Sequence, residues 1–182
     1  AGNVIDLALG SGFDLERAVE ESLVREFSIF DYELFRAALE RARHVLLVAD
    51  NAGEIVFDRL LVEELQRRGL RATVAVRGGP AINDALLEDA HQAGFDPLVE
   101  IIDTGCDLPS VVLEEAGAEF LRSYREADLV IAKGQGNFEG LRHERGPIAF
   151  MLMAKCRPVA GWLGVEQGAL VLRWAGGKDA AS

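Results

Sequence analysis

The sequence predicts a single α/β domain, a mostly parallel sheet with helices on both faces in a Rossmann-like three-layer arrangement. Residues 45–49 (VLLVA) and 129–132 (LVIA) are apolar, β-rich runs with no polar alternation, as expected of strands buried on both faces of a parallel sheet. Helical patterns alternate with the strand patterns, which is how crossovers between parallel strands read. Several strands also stop in polar or glycine-containing stretches. Asp50-Asn51-Ala52-Gly53-Glu54 is the most pronounced of these, and open α/β sheets bind ligands at the carboxyl edge.

The elements follow in chain order. Asp14 can cap a helix over 15–26, and Asp31 a second over 32–43 with Leu34, Ala38 and Leu39 on one stripe. The strand at 45–49 leads into a helix carrying Ile55, Leu60, Leu61 and Leu65, with Gly69 as its stop. Residues 72–76 form the next strand, turned by Arg77-Gly78-Gly79-Pro80. Asn83-Asp84 opens a helix to about residue 93. A strand over 98–102 ends in Asp103-Thr104-Gly105, and 110–113 and 119–126 read as helical. The strand at 129–132 ends in the glycine-rich loop Lys133-Gly134-Gln135-Gly136-Asn137. Strands over 150–155 and 170–173 follow, linked through 158–164. The domain is expected to span 1–175, with a frayed tail over 176–182.

Composition narrows the function classes. The chain has 182 residues, 49% of them hydrophobic, and a formal net charge of −11. That length suits one domain burying roughly 70% of its unfolded surface. The acidic balance argues against nucleic-acid or anionic-membrane partners, and no apolar run approaches the ~20 residues of a membrane span. With no signal-peptide pattern and only Cys106 and Cys156, the expected location is the cytoplasm. The opening Ala1-Gly2-Asn3-Val4-Ile5-Asp6 has neither methionine nor cap, and reads as the middle of a longer chain. Val4, Ile5, Leu7, Ala8 and Leu9 form a dense apolar run, so self-association is expected.

In a parallel sheet the stretches at 50–51, 77–84, 104–105 and 133–137 converge on one crevice. Asp50, Asn51 and Asp84 are hard oxygen donors that suit Mg²⁺ or Mn²⁺ better than zinc. Read alone, Asp84 is a helix N-cap and Asp50-Asn51 a strand-to-helix turn; together they favour a cation site. Lys133, where a strand meets glycines, suits an oxyanion, with Gln135 and Asn137 as added donors and Gly134 and Gly136 permitting close backbone approach. The competing reading is a solvated turn lysine. Neither a Walker A loop nor a dinucleotide fingerprint is present, since Gly140 falls one position too late. Arg77 suits either a phosphate or surface acids.

Four stretches together resemble the metal-dependent damage-control phosphatases, the family of domain of unknown function 89, and most of all its short prokaryotic members. They are Gly2-Asn3-Val4-Ile5-Asp6, Asp50-Asn51-Ala52-Gly53-Glu54, the run from Arg77 to Asp84 (RGGPAIND), and that from Asp128 to Asn137 (DLVIAKGQGN). Residues 150–155, Cys156 and Pro158 follow the same pattern. The resemblance covers nearly the whole chain and implies hydrolysis of phosphate monoesters of small metabolites, sugar phosphates or phosphopantetheine-type compounds, with Mn²⁺, Mg²⁺, Co²⁺ or Ni²⁺. It implies Asp50, Asn51 and Asp84 as metal ligands and Lys133 as the phosphate holder. Asn3, Asp6, Glu54 and the stretch Gly134, Gln135, Gly136, Asn137 would lie around the pocket. Family members carry a helical region before the first motif, where this chain begins.

The expected mechanism is metal-assisted attack of water on phosphorus, with Asp50, Asp84 and Lys133 as the catalytic set and Asp6 or Glu54 as base. An aspartyl-phosphate route through Asp50 is disfavoured, because Ala52 stands where a general acid would be needed. Two other classes remain: an S-adenosylmethionine-dependent carboxyl methyltransferase, an activity attached to a eukaryotic branch of the family, and a non-catalytic metabolite binder.

Overall fold

Along the chain run β1 (Phe27–Phe30), α1 (Tyr32–Leu39), β2 (His44–Val48), α2 (Ile55–Arg67), β3 (Arg71–Val76), α3 (Leu87–Gln92), β4 (Glu100–Asp103), α4 (Ala118–Glu126), β5 (Leu129–Lys133), α5 (Gly134–Leu141), β6 (Ile148–Met153), α6 (Arg157–Leu163) and β7 (Leu170–Trp174). This is a computed structural model, which describes residues 25–96 and 98–176. The strands form one sheet in the order β1-β7-β6-β5-β2-β3-β4. Strands β2 to β6 are parallel neighbours, β7 is antiparallel to β6, and β1 is parallel to β7.

Alternation along the strands divides the core in two. Val45 and Leu47 point to one face, with Phe35 of α1, Ile55, Val62 and Leu65 of α2 and Ala90 of α3. Leu46 and Val48 point to the other, with Phe120 of α4, Phe138 and Leu141 of α5 and Val159 and Leu163 of α6. Successive strand residues face opposite sides, so helices on both faces require apolar residues at every position. That is why β2 and β5 are buried at all five residues. A fully buried Leu or Val contributes about 1.5–3 kcal/mol, so these central strands anchor the fold. Among the described residues no helix is long and apolar enough to cross a membrane.

The structure corrects several boundaries. The helix expected at 83–93 is only α3, because the Leu86 N–H donates to the Asp89 carboxylate at 2.8 Å and the helix starts there. The Asp31 side chain does not cap α1; it accepts the Trp174 N–H at 2.9 Å. Residues 110–113 are not helical, whereas the expected linker over 158–164 contains α6. The glycine-rich stretch after β5 is the first turn of α5, not a loop. Strand β1 was not anticipated, being four residues long with an exposed pattern and so too short to display a period. Most of the helix expected over 15–26, the apolar run at 4–9 and the tail from 177 lie outside the described residues; Arg25 and Glu26 are not helical.

Candidate active site

The chain proceeds from β2 outward through β3 and β4, then returns to the other side of β2 with β5 and β6. The gap between the carboxyl ends of β2 and β5 is therefore a topological switch point. Asp50 and Asn51 follow β2 and Lys133 ends β5, so both stand at this gap.

Asp84 is brought there by backbone pairing. Asn51 and Asp84 form an isolated antiparallel bridge. Around it the Ala52 N–H donates to Asn83 O at 3.0 Å, the Ala85 N–H to Asp50 O at 2.8 Å, and the Arg77 N–H to Ala85 O at 2.9 Å. These bonds hold Asp84 and Ala85 against β2 and β3 after a turn through Asn83, which is why the expected helix cannot begin at Asn83.

The side chains are nearly dry. Asp50, Asn51 and Arg77 are 7%, 5% and 2% exposed. Asn51 Nδ2 donates to Asp50 Oδ2 at 2.9 Å, and Arg77 Nε donates to Asp84 Oδ2 at 2.5 Å. Arg77 thus pairs with an acid of the site instead of a surface acid. Burial pushes the Asp50 carboxyl up to about 7; the Glu54 and Asp84 carboxylates add to this, and Lys155 and Lys133 oppose it.

Lys133 is enclosed. Its ammonium is paired with Glu54 and lies 2.6 Å from Asp58 Oδ1. Burial alone would lower its pKa, but the Asp58 and Glu54 carboxylates outweigh that and raise it, so Lys133 stays charged. In place of a cation open toward solvent on a loop, the structure has a buried lysine held by two acids. Glu54 Oε2 and Asp58 Oδ2 are buried without hydrogen-bond partners.

The first turn of α5 ties strand ends together. Asn137 Nδ2 donates to Ala49 O at 3.0 Å and Lys133 O at 2.7 Å, and its Oδ1 accepts from Arg77 Nη2 at 2.6 Å. Gln135 Oε1 accepts the Lys155 N–H at 2.9 Å. Asn137 is fully buried and its amide is committed to the protein, contrary to the expectation of a substrate donor. Gly134 has φ +79°, and a Cβ there would overlap the Asp50 carboxylate. Gly136 is likewise a packing position, since a Cβ there would strike Pro109 O.

Sequence reasoning missed two members. Asp58 lies on the buried stripe of α2 with Ile55, Val62 and Leu65; an acid at a core position of a helical period was its signal. Lys155 follows β6, and its charge acts on Asp50; a lysine at a strand's carboxyl end was the signal there. Asn3 and Asp6 lie outside the described residues. Cys106 and Cys156 are free thiols.

The donor set fits a hard divalent cation in its chemistry, with two carboxylates and one amide in dry, acid-rich surroundings where Asp50 resists ionisation. Among the described residues no three His, Cys, Asp or Glu side chains are grouped to hold a metal, so Asn51 is essential to the assignment.

The comparisons agree with this architecture. The family model for the damage-control phosphatase ARMT1-like domain matches residues 1–171. An uncharacterized protein of Methanocaldococcus jannaschii is 41% identical over 94% of this chain and 59% of its own length. A damage-control phosphatase of Pyrococcus horikoshii is 41% identical over 93% of this chain and 60% of its own. The crystal structure of a DUF89 family protein from Pyrococcus horikoshii superposes with a TM-score of 0.88 at 40% identity, covering 96% of this chain and 62% of that one. The chain thus spans about three fifths of the length of these relatives. With one family model matching nearly its whole length and its sheet superposing on a solved member's, the chain belongs to the damage-control phosphatase ARMT1-like family.

Proposed function

We propose that this chain carries the catalytic core of a metal-dependent phosphatase acting on phosphate monoesters of small metabolites, such as sugar phosphates or phosphopantetheine-type compounds. The supporting observation is the meeting of Asp50, Asn51 and Asp84 beside the β2/β5 switch point, buried and with more acid around them than the neighbouring cations offset. Relatives named damage-control phosphatases support the same reaction class.

In this reading Asp50, Asn51 and Asp84 hold Mn²⁺, Mg²⁺, Co²⁺ or Ni²⁺. When bound, such a cation polarises phosphoryl oxygens and acidifies water. Arg77 fixes the Asp84 carboxylate, and Gly134 leaves room for that of Asp50. Lys155 adds positive charge beside Asp50 at the sheet edge, and Lys133 keeps its own charge between two carboxylates. In the same reading the unpartnered Glu54 Oε2 would accept the attacking water's proton. The burial of the polar groups keeps competing water out, which strengthens each of these interactions.

The test is release of phosphate from p-nitrophenyl phosphate and a panel of phosphorylated metabolites, with each of the four cations or with EDTA. Turnover that requires a cation and disappears in Asp84→Ala, together with that variant's Mn²⁺ binding, supports the reading. Undiminished Mn²⁺ affinity in a folded Asp84→Ala sinks the ligand assignment; no cation-dependent release from any compound sinks the activity.

A further inference from the structure

Helix α2 buries Ile55, Asp58, Val62 and Leu65 along one stripe. Asp58 is only 4% exposed. Packing gives no reason for an acid there, because an apolar side chain would fill the stripe without losing hydration. Lys133 already has a carboxylate partner in Glu54. A second acid gives the buried trio one carboxyl more than its single cation can match, and burial accordingly raises the Asp58 pKa, because incompletely compensated charge is unfavourable in the interior. Asp58 Oδ2 has no partner, so the polar contribution of this side chain reduces to Oδ1, 2.6 Å from Lys133 Nζ.

The two acids differ in what else they face. Residues four apart on a helix share a face, so Glu54 and Asp58 grip Nζ from one rigid element. Glu54 also acts on Asp50, four residues before it on the β2–α2 connection, and its Oε2 is unpartnered. Glu54 is therefore shared between Lys133 and the acid cluster at the switch point. Without Asp58, Lys133 and Glu54 would be a closed one-to-one pair, each neutralised by the other.

We infer that Asp58 is a positioning residue: it holds Lys133 Nζ independently of Glu54 and so frees Glu54 to serve the reacting centre. It acts through Lys133 and touches no substrate. Only the kinetic consequences rest on the phosphatase reading; the grip on Lys133 does not.

The experiment is a double-mutant cycle on the full chain with Mn²⁺ and p-nitrophenyl phosphate, alongside two measurements that need no turnover. Asp58→Asn should lower kcat by about 10-fold or more with little change in KM and with Mn²⁺ affinity retained. Asp58→Glu should restore most of the loss. In a Lys133→Met background, adding Asp58→Asn should change kcat/KM by less than about two-fold, because its route of action is already gone. The double variant should melt above Lys133→Met, having one fewer uncompensated buried acid. Reductive methylation read by mass spectrometry should find Lys133 more reactive in Asp58→Asn and protected again in Asp58→Glu.

Wild-type kcat and Lys133 reactivity in a folded Asp58→Asn would overturn the inference, as would losses that add independently in the cycle. If the wild-type chain hydrolyses nothing with any cation, the phosphatase reading fails, while the methylation and melting measurements still decide the role of Asp58.

Discussion

Gly134→Ala probes the geometry on which the candidate site depends. Gly134 begins α5 with φ +79°, and an added Cβ would lie inside the contact shells of Asp50 Cγ and both carboxylate oxygens. Left-handed backbone costs a non-glycine residue about 1–2 kcal/mol. Overpacking beside a buried group adds about 1–3 kcal/mol. The sum, roughly 2–5 kcal/mol, lowers the melting temperature of a domain this size by about 4–20 °C. The overlap is relieved only by moving Asp50, so if Asp50 is a ligand, Mn²⁺ affinity should fall at least about 10-fold. Gly161→Ala is the control. Gly161 lies inside α6, and a Cβ there meets nothing within 4 Å, so alanine should stabilise by about 0.5–1 kcal/mol. Thermal melts in EDTA and calorimetric Mn²⁺ titrations read both effects. A Gly134→Ala protein that melts with the wild type and binds Mn²⁺ equally refutes the packing argument. One that is destabilised but binds Mn²⁺ normally removes Asp50 from the ligand set.

Asn137→Ala leaves Ala49 O, Lys133 O and Arg77 Nη2 without their shared partner; urea unfolding should register a loss of about 3–5 kcal/mol, and a loss below 1 kcal/mol would remove Asn137's role as a clamp between strand ends. Ile82 is 91% exposed with φ +53°, so Ile82→Asn, which tolerates that backbone, should stabilise by about 0.5–1 kcal/mol, and a lower melting temperature would contradict it. Asp50 has a native pKa of about 7 against 3.8 for the unconstrained group. Its folded value is the higher, so the native state holds the proton more tightly; the contribution of Asp50 to stability in EDTA is full below 3.8 and is lost as pH rises to about 7. Asp50→Asn should then exceed the wild type at pH 8 in EDTA by up to about 4 kcal/mol, with the margin shrinking toward pH 5. A margin that is the same at both pH values would show that ionisation of Asp50 is not its source.

Much of the fold can be read directly from the chain. The runs at 45–49 and 129–132 lack polar alternation because both sheet faces are covered by helices, and that demand is written locally at every strand position. Asp50 and Asn51 could be placed at a strand end for the same reason. Short or marginal elements were not legible: β1 has four residues and an exposed pattern, and the start of α3 depends on which backbone groups residues 83–85 give to β2 and β3.

The site itself was decided in three dimensions. Lys133 followed by glycines reads identically whether its ammonium meets a phosphate or two carboxylates, and only the tertiary approach of the start of α2 to the end of β5 supplies Glu54 and Asp58. Gly134 and Gly136 resemble an anion loop in sequence, yet one makes room for a carboxylate and the other for Pro109 O, a backbone group from a distant segment. Residue type and spacing declare what a side chain can offer. Burial and long-range neighbours decide which offers are taken, because a charge or amide in a dry interior must be paired by whatever the fold brings beside it.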